Sequence, residues 1–117
     1  MKVAGLVLGV FVLPLLLVQH AFAAESTGKL LDVLCSFYPM YVTALNVVGD
    51  TPGVKVECLT TAATGCLHDY QLTPANLKMI GQADLFIANG AGMENFINKA
   101  LQQSPHLNVV NASQGIN

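Results

Sequence analysis

The sequence has no arginine and no tryptophan, and only 10% of its residues are charged. Its five basic residues are all lysines and stand against seven acids, so the formal net charge is −2 at pH 7. Nucleic-acid binding depends on basic side chains that neutralise phosphates. An acidic chain without arginine is therefore predicted not to bind nucleic acid.

Charge is also nearly absent from the first 23 residues, where Lys2 is the only Lys, Arg, Asp or Glu. The apolar run that follows Lys2 is shorter than the roughly 20 residues that a membrane-spanning helix needs. Residues 21–23, Ala-Phe-Ala, match the small-x-small pattern that precedes a signal-peptidase cut. We therefore expect residues 1–23 to be a signal peptide, removed after Ala23, and residues 24–117 to be exported.

The remaining residues alternate between apolar runs, typical of strands, and segments whose apolar residues recur at helical spacing. The predicted strands are 30–37, 54–60, 83–90 and 106–113, and the predicted helices are 38–49, 73–82 and 93–103. This order predicts an α/β fold with a four-stranded, mainly parallel sheet and flanking helices.

The sequence ends at Asn117, shortly after the fourth predicted strand, and no helix follows to cover that part of the sheet. Residues 24–117 are also no longer than one small domain. We therefore expect them to be the incomplete, truncated front part of a larger protein.

His68 follows the second predicted strand, in the stretch GCLHDYQLTP that ends at a predicted helix start, Thr73-Pro74. In open α/β sheets, ligands bind beyond the carboxyl ends of the strands. Neutral imidazole is a common metal ligand, although zinc needs about four donors. His68 is therefore a candidate metal ligand, and a loop histidine that only faces water is the alternative.

The three cysteines divide into a pair and a single residue. Cys58 and Cys66 are close in sequence, and in an oxidising compartment we expect them to form a disulfide. Cys35 lies in an apolar run, where a thiol usually behaves as a small buried hydrophobe, so we expect it to be buried and unpaired. A Cys₂His zinc site made of Cys58, Cys66 and His68 is the alternative, although oxidation would remove its thiolates.

Four stretches occur in an order that identifies a family: SFYPMY (36–41), HDYQLTP (68–74), ADLFIANGAGMENF (83–96) and NVVNASQGI (108–116). Together they resemble the periplasmic zinc/manganese-binding proteins of metal ABC transporters. The resemblance extends over nearly all of residues 31–116.

The resemblance implies a fold of two lobes joined by a long helix, with the metal ion held in the cleft between them. Residues 24–117 would form the N-terminal lobe. The first metal ligand of the family falls on His68, while two further histidines and an acid would come from regions after Asn117. Glu94 matches a recurrent family glutamate for which the resemblance implies no ligand role.

The resemblance also implies a function. We expect an exported, periplasmic substrate-binding protein, monomeric, that captures Zn²⁺ or Mn²⁺ and delivers it to an ABC-type permease in the membrane. The metal would be cargo and must be released intact, so no enzymatic activity is expected. Two alternatives remain open: an exported metal-dependent hydrolase whose site is completed by a missing C-terminal half, and an adhesin-like surface protein of the same family.

Overall fold

The computed structural model describes residues 28–62 and 64–116. The signal peptide predicted for residues 1–23 lies outside these ranges. No helix within them has the length and apolarity needed to cross a membrane.

The described residues form one sheet of four parallel strands with helices on both faces. The strands are β1 (Leu31–Cys35), β2 (Val54–Cys58), β3 (Leu85–Ala88) and β4 (Asn108–Asn111). The helices are α1 (Tyr38–Val48), α2 (Pro74–Gln82) and α3 (Asn98–Gln102). The strand order is β2-β1-β3-β4, and each neighbouring pair is parallel. The predicted fold, with four parallel strands and three connecting helices, is confirmed.

Helix α1 begins and ends where its sequence predicts. Phe37 is extended, with φ −155°, and Pro39 occupies the first turn, where its missing N–H costs no hydrogen bond. Gly49 ends the helix with φ 53°, and its N–H donates to the carbonyl oxygen of Leu45 at 2.9 Å. A positive φ is easiest for glycine, so the helix stops at this residue.

The third helix is shorter than the predicted 93–103. The chain first forms a 3₁₀ turn, Asn95–Ile97, and only then the α-helix Asn98–Gln102. Glu94, just before this turn, has the non-helical φ of −108°, and its carboxylate accepts hydrogen bonds from two preceding backbone N–H groups. The apolar spacing of this segment could not reveal that constraint.

The core lies on both faces of the sheet, and β1 contributes to each. Val33 and Cys35 of β1 pack toward α1 in a cluster that includes Ala44. Leu34 points to the opposite face and belongs to a second cluster with Ile80 of α2. Burial on both faces explains why the last three residues of β1, Val33 to Cys35, are all apolar instead of alternating with polar residues.

Asp84, just before β3, is joined to the residues that lead into β1. Its carboxylate accepts a hydrogen bond from the Lys29 ammonium and another, at 3.0 Å, from the backbone N–H of Asp32. The hydrogen bond from Lys29, followed by that from Asp32, lowers the pKa of Asp84 below its ordinary value of 3.8. Folding therefore favours the ionised carboxylate.

We expect Asp84→Asn to lower stability at neutral pH and to matter less in acid. The ionised Asp84 adds its full contribution to the free energy of unfolding at pH values above 3.8, the pKa of its carboxyl in the unfolded chain. That contribution is lost as the pH falls through the lower pKa that the carboxyl has in the folded protein. Urea unfolding of wild type and variant over a pH series measures this, with Asp50→Asn at an exposed turn as the control. A stability difference that persists unchanged well below pH 3.8 would contradict the assignment.

Candidate metal site

A cavity of about 450 Å³ lies beyond the carboxyl ends of β1 and β2. Aromatic, hydroxyl, sulfur and imidazole side chains border it. Those relevant to ligand chemistry are Tyr38, Thr60, Cys66, His68 and Met93. The cavity is on the edge of the sheet at which parallel α/β folds bind their ligands.

His68 lies in a single 3₁₀ turn, Leu67–Asp69, and its side chain is exposed. The turn is closed by a hydrogen bond from the N–H of Tyr70 to the carbonyl oxygen of Leu67, at 3.2 Å. A ring nitrogen on such a turn can reach an ion that enters from solvent. From the sequence, His68 was a candidate ligand located after the second strand. The structure places it after β2 and at the border of the cavity.

The segment that carries His68 is fastened at both ends by one buried side chain, Asn76. Its amide nitrogen donates to the carbonyl oxygen of Leu59, at 2.9 Å, where the segment leaves β2. Its amide oxygen accepts from the backbone N–H of Thr73 and from the hydroxyl of Tyr70, each at 3.0 Å. A loop held in this way loses less conformational entropy when it binds a ligand than a free segment does.

The Thr73 hydroxyl accepts from the backbone N–H of Asn76 at 3.2 Å, and together they form a capping box at the start of α2. The predicted cap at Thr73 and the predicted helix start at Pro74 are confirmed. Asn76 is not among the residues predicted from the sequence, although an amide three residues after a capping threonine is a signal for this arrangement.

Glu94 is the second residue whose role the sequence did not reveal. Its carboxylate is buried and accepts hydrogen bonds from the Ser36 hydroxyl at 2.9 Å and from the backbone N–H groups of Asn89 and Gly90 at 2.7 and 3.0 Å. Ser36 follows β1 and Asn89 follows β3, so one carboxylate links the carboxyl ends of these two neighbouring strands. Glu94 therefore holds the carboxyl ends of β1 and β3 in position.

The backbone at position 90 lies so close to the Ser113 side chain that the residue there must be glycine. Its φ is 81°, and a Cβ atom added there would lie 2.4 Å from the hydroxyl oxygen of Ser113. A side chain at position 90 would therefore clash and would strain the backbone as well.

The three cysteines are free thiols in the structure. Cys35 is fully buried, as predicted, while Cys58 is half-buried and Cys66 is exposed. Burial, and then the neighbouring Cys58, raise the pKa of the Cys35 thiol to about 11. Burial also raises the pKa of Cys58. A disulfide between Cys58 and Cys66 stays a prediction.

Within residues 28–62 and 64–116, no three histidine, cysteine or acidic side chains lie together in a way that could hold a metal ion. The alternative Cys₂His zinc site of Cys58, Cys66 and His68 is therefore not assembled. In the described part of the chain, His68 offers one imidazole ligand, and a closed zinc shell would need donors from elsewhere.

Comparison with known proteins gives a consistent set of similarities. Residues 33–117 match the protein family described as "Zinc-uptake complex component A periplasmic". The chain is 35% identical over 97 residues to the high-affinity zinc uptake system protein ZnuA of Bacillus subtilis, covering 80% of this chain and 29% of that protein. The chain thus spans less than a third of that relative's length.

Two solved structures share the fold. The Zn(II)-bound ZnuA-like domain of Streptococcus pneumoniae AdcA is 28% identical, with a TM-score of 0.65, and the match covers 77% of this chain and 33% of that one. A Mn-bound variant of the periplasmic metal binding protein from Candidatus Liberibacter asiaticus is 30% identical, with a TM-score of 0.66 and the same coverage. These similarities confirm the predicted fold class.

Proposed function

Because the chain belongs to the family of periplasmic zinc-uptake complex component A proteins, we propose that it contributes the N-terminal lobe of an exported metal receptor. Residues 1–23 would be the signal peptide and residues 24–117 the lobe. The complete protein would act as a monomer, capture a divalent transition-metal ion and deliver it to an ABC-type permease. The metal would be cargo, bound and released without chemical change.

The position of His68 carries this proposal. It is an exposed imidazole at the border of a 450 Å³ cavity, on the ligand-binding edge of the sheet. Its segment is held at both ends by the hydrogen bonds of Asn76, a residue in the first turn of α2. A prearranged nitrogen donor that faces solvent suits an ion arriving by diffusion, and the remaining ligands would come from the rest of the complete protein.

Of the two expected cargo ions, we propose Zn²⁺. Imidazole and sulfur donors suit zinc, whereas carboxylate and carbonyl oxygens suit manganese. The cavity border carries His68, whose imidazole nitrogen is a donor that suits zinc. Mn²⁺ stays the second candidate because a structural neighbour at 30% identity is Mn-bound.

The hydrolase alternative receives no support from the relatives described above, which are named for zinc uptake or metal binding. A hydrolytic zinc site would also keep one position open for water, with a general base beside it. A receptor that must hold its cargo without reacting with it is served better by a closed shell.

Calorimetric titration of the complete protein, stripped of metal with a chelator, tests the proposal. We expect one ion to bind per protein and Zn²⁺ to bind more tightly than Mn²⁺ under the same buffer conditions. Tighter binding of Mn²⁺ would overturn the choice of cargo, and binding of neither ion by folded protein would overturn the receptor function itself.

A further inference from the structure

Two cysteines that metal capture does not use lie side by side at the carboxyl ends of β1 and β2. Cys35 is the last residue of β1 and Cys58 the last residue of β2, and the two are paired in the register of these parallel strands. Side chains in register on neighbouring parallel strands leave the sheet on the same face. Cys35 packs on the face that α1 covers, so Cys58 leaves the sheet on that face too, and both cysteines are free thiols.

The spacing of the strands suits a covalent bond between these thiols. Neighbouring strands lie about 4.7–4.9 Å apart, and the two Cα atoms of a disulfide usually lie 4.4–6.8 Å apart. The pairing is intact up to the end of the strands, because the N–H of Leu59 donates to the carbonyl oxygen of Cys35 at 2.8 Å. Among the described residues, β2 is paired with β1 alone, so no second strand restrains its other side.

Cys66 occupies a different place. It is exposed and borders the cavity that His68 also lines, whereas Cys58 borders an open groove along β2. A bond from Cys58 to Cys66 would join the strand end to an exposed residue of the following loop. A bond from Cys58 to Cys35 joins residues that the sheet already holds together.

We propose that Cys35 and Cys58 are a redox-active dithiol, which oxidation of the exported protein converts into an intrachain disulfide in preference to a Cys58–Cys66 bond. Two segments border the metal-site cavity, one following β1 and one following β2. The bond would join the residues from which these two segments begin. This inference rests on strand register and does not depend on the identity of the cargo.

The reaction with glutathione disulfide as oxidant balances in two steps. The Cys58 thiolate, which is partly accessible, attacks one sulfur of glutathione disulfide, so a mixed disulfide forms and one glutathione leaves as a thiolate. Cys35 then attacks the Sγ atom of Cys58, the second glutathione leaves as a thiolate, and that thiolate takes up the proton of Cys35. Two protein thiols are oxidised to one disulfide, and one glutathione disulfide is reduced to two glutathione thiols.

The lysine positions make the two possible bonds easy to distinguish. Cleavage after lysine separates Cys35, in peptide 30–55, from both Cys58 and Cys66, which share peptide 56–78. A Cys35–Cys58 bond therefore links two peptides, whereas a Cys58–Cys66 bond closes a loop inside one.

The complete protein is reduced, incubated with glutathione disulfide, alkylated at its remaining thiols and digested for mass spectrometry. We expect linked peptides 30–55 and 56–78 as the main oxidised product in wild type and in Cys66→Ser, and their loss in Cys58→Ser. Cys66 is exposed, so Cys66→Ser is expected to fold, and circular dichroism checks this.

Two results would overturn the proposal. One is a loop confined to peptide 56–78 in wild type, together with full alkylation of Cys35 and Cys58 in Cys66→Ser. The other is the persistence of the linked peptides in Cys58→Ser, because the bond would then join Cys35 to Cys66.

Discussion

Replacing His68 by alanine in the complete protein is expected to weaken Zn²⁺ binding by at least about 100-fold, since changes to outer-shell partners alone cost about 10- to 100-fold. The imidazole is the only metal-site donor that we assign in this part of the chain, and its backbone is held in place by the hydrogen bonds of Asn76. Without the imidazole ring, no side chain of the 3₁₀ turn provides a nitrogen donor to the metal ion.

The fold of the His68→Ala variant should be retained. His68 is exposed, and surface substitutions of this kind usually change stability by less than about 0.5 kcal/mol. His106→Ala is the matched control, because this second exposed histidine does not border the cavity. Calorimetry of wild type and both variants, with thermal circular dichroism, separates affinity from folding. Equal affinities in wild type and folded His68→Ala would remove His68 from the site.

Glu94→Gln should have the largest effect on stability among the changes considered, a loss of about 2–3 kcal/mol. The carboxylate accepts from the Ser36 hydroxyl and from the N–H groups of Asn89 and Gly90, all at 2.7–3.0 Å. A glutamine keeps one acceptor oxygen and turns its amide N–H₂ group toward donors. At least one donor would then be left without a partner in a buried place, which costs more than the loss of an exposed hydrogen bond.

Glu57→Gln makes the same chemical change at a surface site. Glu57 pairs with Lys55 at 2.9 Å, but both side chains are about half exposed, so the expected cost is below about 1 kcal/mol. Chemical denaturation of wild type and both variants at neutral pH gives the comparison. Similar losses for Glu94→Gln and Glu57→Gln would show that the buried carboxylate does not hold the strand ends together.

The sequence was sufficient for features that depend on local pattern. The apolar runs predicted the strands, and their alternation with segments of helical spacing predicted the parallel sheet. The cap at Thr73 and the stop at Gly49 followed from the chemistry of single residues. The candidate ligand His68 followed from its place after a strand, because ligands of parallel sheets bind at that edge.

The tertiary structure alone decided the features that depend on residues distant in sequence. Glu94 bonds to Ser36, 58 positions away, so neither residue signals the contact by its own neighbours. The sequence separation of the cysteines favoured Cys58 with Cys66, whereas strand register sets Cys58 beside Cys35. The register of neighbouring strands is fixed when their apolar faces are buried together. It therefore depends on the packing of the whole sheet and not on the sequence of any one segment.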